Sequence, residues 1–120
     1  MTDRQRRLYE AALSQICHNL VKAGLSFREF NEKSWQIPEP YLPCRYTLAA
    51  HGVGLADEWP LVPLHPDFES AYEGQFEAGM VICMESLIGE AGSECIKLET
   101  QALVTGKGAE RLDSYPWEEC

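Results

Sequence analysis

The 120-residue sequence is predicted to fold as one α+β domain, with two N-terminal helices followed by a curved antiparallel sheet. Apolar residues recur at helical spacing in the first part of the chain. From Tyr46 onward the pattern changes to short apolar runs that are separated by glycines. The length supports a single modest hydrophobic core, and an apolar fraction of 45% favours a globular domain over a disordered chain.

Two helices are expected near the N-terminus. The first is predicted over residues 3–23, because apolar side chains line one face; Asp3 can cap its start and Gly24 ends it. A Ser-Phe-Arg-Glu capping box that begins at Ser26 opens the second helix. This second helix is expected to run to about Trp35.

The rest of the chain is expected to alternate loops and strands. Three prolines within residues 37–43 predict a stiff extended loop. A long proline-containing loop at residues 57–79 separates the first two strands, and loops of that length are usually functional or cover a site. Strands are predicted at residues 46–51, 80–87, 95–105 and 109–112, with glycine-containing hairpin turns between the last three.

The composition excludes several functional classes. A net charge of −9 argues against nucleic-acid binding, which requires a basic surface. The sequence has no apolar run approaching ~18 residues, so no membrane span is predicted, and its first residues lack the apolar segment of a signal peptide. Five cysteines without a C-x-x-C pair predict reduced thiols in a cytoplasmic protein, with Cys17 and Cys83 packed in the core.

Three potential metal ligands stand on separate apolar segments: His51, Glu85 and Glu99. Glu85 closes a five-residue apolar run, where a carboxylate is costly unless a positive group meets it. Lys97, close to Glu99 in sequence, could pair with a carboxylate or lie on the surface. One imidazole among hard oxygen ligands favours a divalent transition metal, namely Fe, Mn, Co or Zn.

The order of these motifs resembles the C-terminal half of the pita-bread metalloenzymes, which include methionine aminopeptidase, aminopeptidase P, prolidase and creatinase. The resemblance rests on the capping box, on His-Gly-Val-Gly, on Gly-Met-Val leading to Glu85 and on Lys-Leu-Glu ending at Glu99, and it covers nearly the whole chain. It implies that His51 and Glu85 would bind one metal ion and that Glu99 would bridge to a second. It also implies a homodimer in the full-length form.

Two departures from the family pattern matter. The family's two aspartate ligands lie upstream of the first helix, so the resemblance implies that residues 1–120 are a partial, N-terminally truncated catalytic domain or one half of something larger. The peptidases carry a further histidine shortly after His-Gly-x-Gly, and residues 55–60 contain none. Instead, Asp57 stands six residues after His51 and Tyr46 stands five residues before it. This spacing resembles the dimethylsulfoniopropionate lyase branch, where the aspartate is the proposed base and the tyrosine is part of the pocket.

Three functions stay open at this point. The first is a metal-dependent carbon–sulfur lyase that cleaves dimethylsulfoniopropionate, a small carboxylate, to dimethyl sulfide and acrylate; its base, Asp57, would have to be partly buried, for example against Trp59. The second is a Xaa-Pro aminopeptidase or prolidase type of metallopeptidase that acts on a short peptide. The third is a non-catalytic remnant, or a half that needs a partner chain to supply the two missing aspartates.

Overall fold

The structure is a computed structural model that describes residues 1–17, 21–70 and 73–116. The described residues form helices α1 (Asp3–Cys17) and α2 (Phe27–Lys33) and strands β1 (Leu48–Gly52), β2 (Leu61–Pro63), β3 (Val81–Gly89), β4 (Cys95–Val104) and β5 (Ala109–Arg111). Two 3₁₀ helices, Glu39–Cys44 and His65–Ser70, lie in the connections. This order confirms the predicted α+β class. Neither of the described α-helices is long and apolar enough to span a membrane.

The five described strands form one antiparallel sheet in the order β2-β1-β3-β4-β5. The longest pairing is the β3–β4 hairpin, which starts with Val81 opposite Leu103 and continues to the turn after Gly89. In the β1–β3 pairing, His51 lies opposite Cys83. Because residues that lie opposite each other share a face of the sheet, this register decides which side chains meet.

The core lies between the helices and one face of the sheet. Ile82, Met84 and Ile88 of β3 are buried there against apolar side chains of α1 and α2. In the same layer the Ser86 hydroxyl donates a hydrogen bond to Gln15 of α1 at 2.8 Å, so that two buried polar groups satisfy each other. The alternate side chains of β3 project from the opposite face, because side chains in a strand alternate.

Both helices begin with a capping box. At α1 the cap is Thr2 rather than the predicted Asp3: the Thr2 hydroxyl accepts from the amide of Gln5 at 3.2 Å, and Gln5 Oε1 accepts from the Thr2 amide at 2.9 Å. At α2 the predicted capping box of Ser26 is confirmed. This helix ends at Lys33, slightly before its predicted end, because the next residue leaves the helical conformation.

The end of α1 also differs from its prediction. The described helix ends at Cys17, the prediction for residues 18–20 falls outside the described residues, and residues 21–22 are not helical. Gly24 lies in the turn that follows, with a φ of +85°, and does not itself end the helix. The expectation of five reduced thiols is wrong at Cys17, which is disulfide-bonded. Among the described residues, the free thiols are Cys44, Cys83 and Cys95.

Two segments that were predicted as irregular loops contain regular structure. Within residues 37–43 the chain forms most of the 3₁₀ helix Glu39–Cys44, whose first turn accepts proline because it needs no amide donor there. The predicted loop at 57–79 contains β2 and the second 3₁₀ helix. Pro60 precedes β2 and Pro63 ends it; prolines are tolerated there because β2 lies at the edge of the described sheet.

Candidate metal centre

The candidate site lies on the face of the sheet that is turned away from the helices. Alternation along the strands places five side chains there: His51 on β1, Cys83 and Glu85 on β3, and Lys97 and Glu99 on β4. Glu85 is directly opposite Glu99 in the β3–β4 pairing, and Cys83 is opposite His51 in the β1–β3 pairing. The antiparallel register therefore brings the three predicted ligands to one region of the sheet.

Glu85 is the most buried charged side chain of the site, with only 3% of its side chain exposed. Its Oε1 accepts a hydrogen bond from Lys97 Nζ at 2.9 Å. Its Oε2 lies 3.8 Å from His51 Nε2, and none of the described residues donates a hydrogen bond to it. Burial raises the pKa of Glu85, and the neighbouring carboxylate of Glu99 raises it further. A buried carboxylate oxygen without a donor is costly, so this position suits a cation.

Lys97 bridges the two carboxylates. Its Nζ lies 2.9 Å from Glu85 Oε1 and 2.5 Å from Glu99 Oε1, and it stands 4.7 Å from the centre of the Tyr46 ring. Hydrogen bonds to both carboxylates raise the pKa of Lys97, so the ammonium group stays charged. Hydrogen bonds with Glu85 and Lys97 lower the pKa of Glu99. Of the two interpretations that the sequence allowed for Lys97, the structure therefore shows pairing with carboxylates.

The imidazole of His51 is oriented by the backbone. Its Nδ1 lies 2.8 Å from the carbonyl oxygen of Gly52, and assigning the proton to Nδ1 makes this a hydrogen bond and leaves the Nε2 lone pair facing Glu85. Close packing requires the glycine, because a Cβ on Gly52 would lie 1.9 Å from the carbonyl oxygen of Trp59. The His-Gly pair therefore directs the Nε2 atom of the imidazole toward a buried carboxylate.

Cys83 is a site residue that the sequence did not indicate as a ligand. Its thiol is free and buried, and its sulfur belongs with donor atoms of His51 and Glu85 to a group whose members all lie within 4.8 Å of one another. Burial raises the pKa of the Cys83 thiol to about 12. Because Cys83 stands two residues before Glu85, strand alternation could have placed both on one face. The apolar run around it favoured the core interpretation instead.

The two predicted catalytic residues, Tyr46 and Asp57, have different surroundings. Tyr46 lies at the site, half-buried with its ring beside Lys97, and burial raises its pKa. Asp57 lies in an exposed turn with a φ of +58°. Within the part of the chain that the structure describes, no hydrogen bond or ion pair joins its carboxylate to His51 or to the two glutamates. The expected burial of Asp57 is therefore not found.

The donor atoms fit a transition-metal ion. His51 Nε2 and Glu85 Oε2 are 3.8 Å apart, and two donors that each lie ~2.0–2.2 Å from a shared ion are separated by a similar distance. A buried carboxylate beside an imidazole on an antiparallel sheet, with helices on the other face of the sheet, is an arrangement typical of the pita-bread fold. The chain belongs to metallopeptidase family M24, whose family model matches residues 1–106.

The chain is similar to known proteins that have two different activities. Over 102 residues it is 41% identical to the dimethylsulfoniopropionate lyase DddP of Roseovarius nubinhibens, a match that covers 82% of this chain and 23% of that protein. It is 39% identical over 102 residues to the DddP of Roseobacter denitrificans. Prolidase from Pyrococcus furiosus superposes with a TM-score of 0.78 and 26% identity, over 97% of this chain and 34% of that chain. The chain thus spans less than a quarter of the length of the curated lyases that it matches.

Proposed function

We propose that residues 1–120 form the metal-binding part of a carbon–sulfur lyase that cleaves dimethylsulfoniopropionate to dimethyl sulfide and acrylate. The observation that carries this proposal is the 41% identity to a dimethylsulfoniopropionate lyase, over a stretch long enough to include His51 and Glu85. In the proposed site these two residues hold a divalent transition metal, with Glu99 as a further carboxylate. Tyr46 lines the substrate pocket, and Asp57 is the base.

The proposed reaction is an elimination at the carbon next to the substrate carboxylate. Asp57 takes the proton from this carbon, the electron pair left behind forms the double bond of acrylate, and the carbon–sulfur bond breaks with its electrons on sulfur. Dimethyl sulfide leaves as a neutral molecule, so no acid is needed to protonate it. When bound, the metal ion supplies positive charge that holds the substrate carboxylate and offsets the charge developing on it.

The exposed position of Asp57 sets a condition on this mechanism. A carboxylate surrounded by water is a weak base, so the turn that carries Asp57 must be covered when substrate is bound. This chain corresponds to 23% of the length of the lyase from Roseovarius nubinhibens. We propose that a part of the whole protein that is not represented here covers the turn and excludes water from it.

A metallopeptidase that acts on Xaa-Pro peptides is the second candidate. The superposition on a prolidase at 26% identity favours it. Against it stands the segment 55–60, which contains no histidine where the peptidases of this fold carry one. The lyase therefore remains the proposed function, and the peptidase is an outcome that the experiment must be able to show.

The test is product analysis on the chain fused behind the preceding segment of the Roseovarius nubinhibens lyase and loaded in turn with Fe, Mn, Co and Zn. We expect release of dimethyl sulfide from dimethylsulfoniopropionate and no cleavage of a Xaa-Pro dipeptide. Asp57→Asn should lower elimination by ~100-fold or more at unchanged metal content, since a positioned base contributes roughly 10²–10⁴-fold. His51→Ala should lose metal and activity together.

The matched control is Glu58→Gln, which removes a carboxylate from the next position in the same exposed turn. It should leave the elimination rate within a few-fold of the parent fusion. Cleavage of the dipeptide without dimethyl sulfide would replace the lyase by a peptidase. A folded, metal-loaded fusion that turns over neither substrate would make the chain a non-catalytic remnant.

A further inference from the structure

Three donor atoms of different chemistry converge on the site face of the sheet. They belong to His51, Cys83 and Glu85, and they all lie within 4.8 Å of one another. The backbone fixes this proximity, because His51 is directly opposite Cys83 in the β1–β3 pairing and Glu85 follows two residues later on the same face of β3. The cluster is therefore a property of the strand register as well as of side-chain rotamers.

Each of the three side chains has a donor atom available toward the others. Glu85 uses Oε1 for Lys97, while Oε2 is buried and accepts no hydrogen bond from any residue in the described ranges. His51 uses Nδ1 for the carbonyl of Gly52, which leaves Nε2 at 3.8 Å from Glu85 Oε2. Cys83 is a free thiol. Only 3% of the Glu85 side chain is exposed, so an oxygen without a hydrogen-bond donor destabilises the protein there. The space beside this oxygen therefore suits a positive ligand.

Glu99, in contrast, already pairs with the ammonium group of Lys97. Its Oε1 is 2.5 Å from Lys97 Nζ, and about half of its side chain is exposed. It is not a member of the group of mutually close donors, although it faces Glu85 across the hairpin. Among the described residues, the third donor atom of this group is therefore the sulfur of Cys83.

We propose that His51 Nε2, Cys83 Sγ and Glu85 Oε2 bind one Zn²⁺ or Co²⁺ ion, with the thiolate of Cys83 as a protein ligand beside the imidazole and the buried carboxylate. Zinc ligands lie at ~2.0–2.1 Å for histidine, ~2.0–2.2 Å for carboxylate and ~2.3 Å for cysteine, so small side-chain rotations close the observed spacing. A set with one sulfur and one imidazole selects these borderline ions over Mg²⁺, Ca²⁺ or Mn²⁺. The thiol proton leaves to solvent when the ion binds.

The ligand set does not depend on the proposed lyase reaction, and spectroscopy on the 120-residue chain tests it directly. Co²⁺ is titrated into the protein in thiol-free buffer, and the near-ultraviolet band that arises from sulfur-to-cobalt charge transfer is recorded. X-ray absorption at the zinc edge of the Zn²⁺ form then counts sulfur neighbours at ~2.3 Å. Cys83→Ser is compared with Cys95→Ser, which removes an exposed free thiol from the far end of β4.

We expect one equivalent of Co²⁺ to produce the band, and one sulfur in the zinc shell. In Cys83→Ser the band should disappear and the affinity should fall by at least ~10-fold, the lower end of the loss seen when even an outer-shell partner is removed. Cys95→Ser should keep both. A zinc shell of nitrogen and oxygen only in the unmutated chain overturns the inference without reference to any variant. If the fusion shows lyase activity while its zinc shell contains no sulfur, the proposed ligand set is wrong and the proposed function still holds.

Discussion

Replacing Lys97 by methionine removes the cation between Glu85 and Glu99 while keeping an unbranched apolar side chain beside the ring of Tyr46. The two carboxylates lie directly opposite each other in the β3–β4 hairpin, where like charges are destabilising. Glu85 has only 3% of its side chain exposed, so water cannot replace the lost ammonium group there. In metal-free protein we therefore expect Lys97→Met to lower the free energy of unfolding.

The magnitude follows from how buried each partner is. Removing one member of a fully buried ion pair costs about 3–5 kcal/mol. Because the Lys97 side chain is 40% exposed, solvent screens part of this loss, and we expect about 1–3 kcal/mol. With a urea slope of about 1–3 kcal/mol per molar, a mid-range loss moves the urea midpoint down by roughly 1 M.

The matched control is Lys33→Met, which breaks the exposed pair with Glu29 within α2, 3.2 Å apart. Solvent screens an exposed helix pair of this kind, so the urea midpoint of Lys33→Met should change much less than that of Lys97→Met. Adding Glu85→Gln to Lys97→Met should recover part of the loss, because it removes the buried charge that was left without a partner. Equal midpoints for Lys97→Met and Lys33→Met would refute the reasoning.

Two further predictions concern stability. Gly52→Ala should destabilise the fold by about 1–3 kcal/mol or more, since its Cβ would lie 1.9 Å from the carbonyl oxygen of Trp59. Gly54→Ala should be close to neutral, because no atom lies within 4 Å of its Cβ. Thermal melts of the two variants test this difference. A hydrogen bond from the Thr100 hydroxyl, together with the neighbouring Arg111, lowers the pKa of Asp113. The ionised Asp113 therefore stabilises the folded state above the pKa that it has in the unfolded chain, and this stabilisation is lost as the pH falls through its pKa in the folded chain. Asp113→Asn should therefore be less stable than the parent chain at about pH 7 by up to ~1 kcal/mol and equal to it near pH 2, and a difference that persists in acid would contradict this origin.

The sequence predicted those parts of the fold that depend on neighbouring residues. The capping box at Ser26 involves groups three residues apart, and the hairpin turns depend on glycines within the turns themselves. His51, Glu85 and Glu99 could be selected because polar groups inside apolar runs need a reason to be there. The register then confirmed that they reach one face of the sheet.

The remaining features depend on distant parts of the chain. Strand β2 is short and ends in a proline, and only its pairing with β1 makes it a strand. Cys83 lies in β3, which is buried on both faces, so no alternation of polar and apolar residues distinguished the site face from the core face. The surroundings of Asp57 depend on what covers an exposed turn, which the local sequence does not determine.

Lys97 also bears on when the metal enters during biosynthesis. Small zinc domains stay unfolded until their ion arrives, because nothing else neutralises and connects their ligands. Here the ammonium group of Lys97 lies between Glu85 and Glu99 and pairs with both carboxylates across the hairpin. We therefore expect folding and metal loading to be separable, so that a newly made chain closes its sheet first and acquires an ion afterwards. A cell short of metal would then accumulate folded, metal-free protein rather than unfolded chains.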